Sequence, residues 1–266
     1  MSDTPKTHGP GSLTGRHALV TGGARGIGAA ITRALLQAGA RVTILGRDRD
    51  ALARTAAELH RLGTIEFVSA DVVDAGAVAA AFADARAHTG RIDILVNNAG
   101  AAESASFGKT DAALWRRMMA VNLDGTFHCM REALPGMVEA RWGRIVNVAS
   151  TAGLVGYRYV SAYCAAKHGV VGLTRAVALD VATQGVTVNA VCPGYTDTDM
   201  TTHTVDNIVA RTGTTPAQAL AELTARNPQQ RLVKPEEVAH AVAWLCVPGS
   251  EAITGQTIAV AGGEVT

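Results

Sequence analysis

Residues 17–37 read HALVTGGARGIGAAITRALLQ, and this stretch decides the fold. An apolar run (Ala18, Leu19, Val20) suits a buried strand, the glycines Gly22, Gly26 and Gly28 follow at once, and a helical period opens at Ile27. Glycines let the backbone turn sharply and approach a ligand closely, and the free N–H groups and dipole at a helix start stabilise negative charge. Strand, glycine turn and helix in that order predict a phosphate cradle. The spacing, Gly-x-x-x-Gly-x-Gly, differs from the G-x-G-x-x-G dinucleotide fingerprint. Alone, such a cluster also serves as a plain tight turn, and it is the flanking strand and helix that favour the phosphate reading.

Working outward, short apolar runs alternate with longer segments of helical period. The strands are expected at His17 to Thr21, Arg41 to Leu45, Ile65 to Ala70, Ile92 to Asn97, Arg144 to Ala149, Thr187 to Cys192 and Thr257 to Val260. Helices are expected over 27–38, 49–62, 74–89, 110–140, 161–183 and 235–247. This is the rhythm of repeated βαβ units, so the fold class is α/β: a single Rossmann-type doubly wound parallel sheet of about seven strands with helices on both faces. In such a sheet ligands bind at the carboxyl ends of the strands. Residues 1–12, rich in Pro, Gly, Ser and Thr, read as a tail, and 13–266 as one domain. The break in rhythm is 195–230, a polar, Thr-rich insertion long enough to form a substrate lid.

Composition narrows the function. With 24 Lys+Arg against 23 Asp+Glu the net charge is +1, which gives no field to attract nucleic acid or an anionic membrane. No apolar run approaches the roughly 18 residues of a spanning helix, and the opening MSDTPKTHGPGS lacks a signal-peptide core, so a cytoplasmic protein is expected. Cys129, Cys164, Cys192 and Cys246 lie far apart with no Cys-x-x-Cys pair, which argues for buried thiols and against disulfides or a metal site. Lysine is rare (Lys6, Lys109, Lys167 and Lys234 are all there are), so Lys167 invites a reason.

After the second expected strand, Arg47 stands about twenty residues past the glycine turn, where a reader of the ribose 2′-hydroxyl would be acidic. A guanidinium there pairs with a 2′-phosphate, and Arg25 in the turn adds a second charge, so NADP(H) is preferred, with NAD(H) possible. The plainer alternative makes Arg47 a solvated helix-start residue beside an Asp48 cap. Asp71 after the third strand is either a turn residue or a contact to the adenine edge.

Tyr163 and Lys167 are four apart on one expected helix, so phenol and ammonium project from the same face. A nearby cation favours the phenolate, and a phenol of lowered pKa is a general acid or base at neutral pH. The same pair is ordinarily a surface contact, and context decides. Ser150, thirteen residues before Tyr163, follows the strand RIVNVA directly at its carboxyl end, where its hydroxyl either holds a substrate oxygen or caps a turn.

With these residues in hand, the chain resembles the short-chain dehydrogenase/reductase family from about residue 14 onward. The landmarks are TGGARGIG at 21–28, ADV at 70–72, NNAG at 97–100, Asn122 in MAVNLDGTF, Ser150, YCAAK at 163–167 and PGYTDT at 193–198, in family order. The resemblance implies that Tyr163 is the acid/base, that Lys167 holds the nicotinamide ribose and depresses the Tyr163 pKa, that Ser150 orients a carbonyl, and that Asn122 anchors a water linking Lys167 to solvent. It implies a cofactor cleft formed by Gly22, Arg25, Gly26, Ile27, Gly28, Arg47, Asp71, Val72, Asn98, Ala99, Gly100, Pro193, Gly194, Thr196 and Thr198 with Tyr163 and Lys167. For Asn97 and Asn98, strand-end capping is an equally valid role.

The implied reaction is hydride transfer between NADP(H) and a ketone or secondary alcohol, without a metal. Substrate contacts are expected from Ser150, Leu154, Tyr157, Tyr163 and Tyr195, with Glu103, Ser104, Phe107, Tyr159 and the segment to Met200 nearby. Aromatic walls with few fixed charges suit a neutral ketone or an acyl thioester. Phrases such as GRIVNVAS and VTVNAVCPG resemble 3-oxoacyl thioester reductases and 3-hydroxyacyl dehydrogenases, and Gln184 in place of a basic residue favours a CoA thioester or free keto compound over a carrier-bound one. The alternatives are an NAD(H)-linked secondary alcohol or sterol dehydrogenase, and a non-catalytic NADP(H)-binding sensor. The resemblance also implies a homotetramer.

Overall fold

The computed structural model describes residues 12–265. The tail expected over 1–12 thus lies outside the described residues except for Ser12. Seven parallel strands form one sheet in the order β3-β2-β1-β4-β5-β6-β7: β1 His17–Thr21, β2 Arg41–Gly46, β3 Ile65–Ser69, β4 Ile94–Asn97, β5 Gly143–Val148, β6 Val186–Pro193 and β7 Thr257–Val260. The order reverses between β1 and β4, which pair with Val20 opposite Val96, and that switch point opens the crevice.

Strand side chains alternate between two faces, and each face is apolar because both are covered. Ala18, Val20, Ile44 and Val96 pack with Ile31 and Leu35 of α1 (Gly26–Gln37) and with Leu52 of α2 (Arg49–Leu59). Leu19, Leu45, Leu95 and Ile145 face the other way, onto Phe82 of α3 (Ala75–Thr89). The fourth expected helix, 110–140, is in fact α4 (Ala112–Met119), a wider π turn over Ala120–Asp124, and α5 (Gly125–Glu139). α6 (Ser161–Asp180) ends three residues before its expected limit.

The largest departure is the insertion over 195–230. Two helices occupy it, α7 (Asp199–Thr212) and α8 (Pro216–Thr224), before α9 (Pro235–Cys246) resumes the regular pattern beside α1 on the first face. Helix α8 starts on a capping box in which Thr215 and Gln218 satisfy each other's backbone. No helix among the described residues is long and apolar enough to cross a membrane.

Candidate active site

The turn after β1 is built for close approach. Gly22 and Gly26 take φ of 64° and 52°, a region that disfavours any side chain. A Cβ on Gly28 would stand 2.0 Å from the Gly22 carbonyl oxygen and 2.6 Å from Asn98 Nδ2. Asn98 spans the crevice floor, its Nδ2 donating to the carbonyls of Thr21 (3.0 Å) and Gly22 (3.2 Å). The Thr21 hydroxyl in turn accepts from the backbone N–H of Asn98 and of Ala99, at 2.9 and 3.0 Å. Thr21 is thus the hub of the floor, a role absent from the sequence reading. Arg25 caps α1 in extended conformation without a side-chain bond, so the leading N–H groups of the helix remain available to an anion. From the opposite lip the Thr198 methyl comes within 3.1 Å of where a Gly26 Cβ would stand. A cradle that any Cβ would fill, at a helix start, fits the pyrophosphate of a dinucleotide.

Arg47 is exposed and lies 3.7 Å from Asp71. Asp48 caps α2, accepting from Ala51 N–H at 3.0 Å, as the plainer alternative required. Asp71 also behaves as a turn residue, accepting from Val73 N–H at 3.2 Å. Both side chains stand at the ends of neighbouring strands β2 and β3, the crevice edge where the adenosine half of a dinucleotide would lie. Val72 is buried and supports the wall from behind, since a Cβ on Gly125 would meet its Cγ2 at 2.7 Å.

Asn122, Ser150, Tyr163 and Lys167 converge at the carboxyl ends of β4 and β5. Lys167 is buried on α6 and its Nζ donates to the carbonyl of Val148, the last residue of β5, at 2.9 Å. The same Nζ stands 5.7 Å from the centroid of the Tyr163 ring. Ser150 caps a 3-10 turn (Thr151–Gly153), its hydroxyl accepting from Ala152 N–H at 3.1 Å. That turn lies directly on α6, because a Cβ on Gly153 would meet the Lys167 carbonyl oxygen at 2.8 Å, so a bare glycine brings Ser150 to the phenol. Asn122 sits in the π turn, a widening often found at functional sites. Its Nδ2 donates to the carbonyls of Ala101 and Met118, at 2.9 and 3.0 Å, and its Oδ1 accepts from Ala101 N–H at 3.3 Å. A Cβ on Gly100 would lie 2.8 Å from Asn122 Oδ1 and 3.6 Å from Lys167 Nζ, which places these three residues around one point.

The electrostatics correct one expectation. Burial pushes the Tyr163 phenol up to about 12, and the strongest opposing influence is its hydrogen bond with Ser150, not the ammonium. Burial also brings Lys167 down to about 8. The cost of charging these groups away from water therefore outweighs the lowering that a neighbouring ammonium was expected to bring. At neutral pH the site holds a protonated phenol, which is a proton donor.

On the substrate side, Tyr157 and Tyr195 meet edge to face with ring centroids 6.4 Å apart. The Tyr157 hydroxyl donates to Glu264 Oε1 at 2.6 Å and bonds the Thr151 hydroxyl at 2.7 Å. Its pKa rises through burial and the Glu264 carboxylate, so Tyr157 stays neutral. Glu264 was missed because only the tertiary fold brings it back over 107 residues. Arg226 places its guanidinium carbon 4.8 Å from the Tyr157 centroid and was missed likewise. Leu154 packs inward on Ala149 and Val170. Phe107 is 82% exposed and Tyr159 60%, so neither forms the expected wall. Glu103 is engaged with Arg117 at 3.0 Å, and Ser104 meets Arg211 of α7 at 3.4 Å, joining the helical insertion to the loop after β4. Thr196 is buried, donating to the Gly194 carbonyl at 3.0 Å, and with Pro193 it carries the backbone out of β6 toward Thr198.

A family model described as short chain dehydrogenase matches residues 16–230. The 2-(S)-hydroxypropyl-CoM dehydrogenase 3 of Xanthobacter autotrophicus is 42% identical over 245 residues, covering 92% of this chain and 94% of that protein. The D-beta-hydroxybutyrate dehydrogenase of Rhizobium meliloti is 38% identical over 250 residues, covering 92% and 97%. Among solved structures, a variant of actinorhodin polyketide ketoreductase with NADPH superposes with a TM-score of 0.90 at 38% identity, covering 94% of this chain and 97% of that one. The chain belongs to the short-chain dehydrogenase/reductase family and is an oxidoreductase of ketone and alcohol groups.

Proposed function

We propose that the chain reduces a ketone with NADPH, the carbonyl being received by Ser150 and Tyr163. The observation that carries this reading is the neutral Tyr163 phenol hydrogen-bonded with Ser150, one helical turn from the buried Lys167, at the carboxyl end of β5. NADPH, when bound, supplies the hydride from C4 of its nicotinamide. Tyr163 donates its phenolic proton to the carbonyl oxygen as that oxygen gains charge, and Ser150 donates a hydrogen bond to the same oxygen. Lys167 holds the ribose hydroxyls and, with Asn122 and a water, returns a proton to the phenol. Asn98 and Thr198 shape the cleft, and Arg25 and Arg47 supply the positive charge that favours NADP(H) over NAD(H).

The substrate class this reading favours is a 3-oxoacyl thioester of the CoA type or a related keto compound, handled by a cytoplasmic homotetramer with 195–230 as its lid. Tyr163→Phe tests the mechanism. General acid catalysis is worth roughly 10²- to 10⁴-fold, so kcat should fall by that factor while the Kd for NADPH holds. Unchanged turnover in the purified variant removes Tyr163 from the reaction.

A further inference from the structure

Beside Tyr157, on the substrate side, lies a cation that the reaction does not use. Arg226 follows α8 within the helical insertion and lies with its guanidinium carbon 4.8 Å from the Tyr157 ring centroid. No hydrogen bond or ion pair among the described residues engages that guanidinium, whereas Arg117, Arg144 and Arg231 all have carboxylate partners. Glu264, the carboxylate on the same ring, is committed through Oε1 to the Tyr157 hydroxyl at 2.6 Å. Glu222 and Glu264 both lie within electrostatic reach of Tyr195, but neither pairs with Arg226.

Arg226 is exposed, but the ring and the backbone that present it are fixed. Its platform, Tyr157, is fixed by Glu264 on one side and Thr151 on the other. The backbone beside it is anchored by buried Asn227, whose Nδ2 donates to the Arg231 carbonyl at 2.8 Å and whose Oδ1 accepts from Gln229 N–H at 2.8 Å. Asn227 lies so close to Gly262 that a Cβ there would be 2.1 Å from Oδ1, which locks this segment to the loop that carries Glu264. Tyr157 bonds Thr151, the residue next to Ser150, and Arg226 lies against the same ring, so a single side chain links the guanidinium to the carbonyl site. A guanidinium stacked on an aromatic face with its donor edges free is the arrangement that recognises planar or tetrahedral oxyanions.

We propose that Arg226 is a specificity-determining residue that binds an anionic group, carboxylate or phosphate, carried by the substrate away from its reacting carbonyl. This rests on the reductase reading above and narrows its substrate class.

The test uses two matched pairs of ketones: 4-oxopentanoate against its ethyl ester, and acetoacetyl-CoA against the neutral acetoacetyl thioester of N-acetylcysteamine. The ratio of kcat/KM for the charged over the neutral member should fall about 10-fold in Arg226→Gln, mainly through KM, and recover in part in Arg226→Lys, as expected for a charged hydrogen bond. A fall confined to the first pair identifies a carboxylate, and one confined to the second identifies the phosphates of the thioester carrier. Unchanged ratios in both pairs overturn the proposal while leaving the reductase reading intact. If none of the four is turned over, the reductase reading fails by itself. Arg226 is then judged by quenching of bound NADPH fluorescence, where equal affinity of the native protein and Arg226→Gln for both charged compounds overturns the assignment.

Discussion

Replacing Gly28 with alanine puts a methyl group where the backbone of the glycine turn already is. The new Cβ would stand 2.0 Å from the Gly22 carbonyl oxygen, so helix and turn must part by about 1 Å to reach ordinary contact. The Asn98 amide, 2.6 Å from the same point, can swing aside, but the carbonyl cannot, because Gly22 is tied to β2 through its N–H on the Leu45 carbonyl at 2.7 Å. Overpacking of this kind costs about 1–3 kcal/mol. In a chain of this size each kcal/mol moves Tm by about 2–4 °C, so a fall of roughly 2–12 °C is expected by differential scanning fluorimetry. The same displacement withdraws the first N–H groups of α1 from the phosphates. Charged hydrogen bonds are worth about 1.5–3 kcal/mol each, so the Kd for NADPH, read by fluorescence titration, should rise roughly 10- to 100-fold. Gly172→Ala is the control, since nothing lies within 4 Å of its Cβ position on α6 and helix propensity should raise Tm slightly. A Gly28→Ala protein with native Tm and native NADPH affinity would falsify the view that the glycine is required by close approach.

Other expectations follow from single contacts. Arg47→Asp should weaken NADPH at least 10-fold relative to NADH, because the surface pair with Asp71 contributes little stability and its loss leaves two carboxylates facing the 2′-phosphate; an unchanged ratio of the two dissociation constants would make Arg47 a bystander. Thr21→Val keeps the shape but strips the acceptor from two backbone N–H groups, at about 1–3 kcal/mol each, so the Tm should drop by several degrees and a neutral outcome would remove Thr21 as the hub. His17 is buried between the Gly90 carbonyl at 2.8 Å and the Thr43 hydroxyl at 2.9 Å, and burial lowers its pKa. The unfolded chain then binds the proton more readily, so His17 contributes its stability fully above its ordinary value near 6.5 and loses it as the pH falls from there toward the lowered folded value. The fall of Tm from pH 7 to pH 5 should be shallower in His17→Gln, and equal slopes would count against the assignment.

Much of this was legible in the sequence, and for local reasons. Each strand is a short apolar run that names itself, and the glycine turn, Ser150, Tyr163 and Lys167 are all placed by the element that carries them. What escaped depends on tertiary structure or on weak local signals. Helix α7 fully buries only Thr201 and its apolar stripe is short, Val205, Ile208 and Val209 among threonines and charges, although the Thr215 and Gln218 capping box of α8 was there to be read. The π turn around Asn122 has no compositional mark. The sign of the shift at Tyr163 was misjudged because four-residue spacing reveals a neighbour but not the desolvation that outweighs it. Tyr157, Arg226 and Glu264 meet only once the whole sheet is in place.

That last contact sets an order of assembly on the ribosome. Thr21 and Asn98, which shape the nucleotide floor, are translated far ahead of Glu264, which steadies Tyr157. A nascent chain thus contains the floor of the nucleotide crevice well before it contains the residue that steadies the far wall of the pocket.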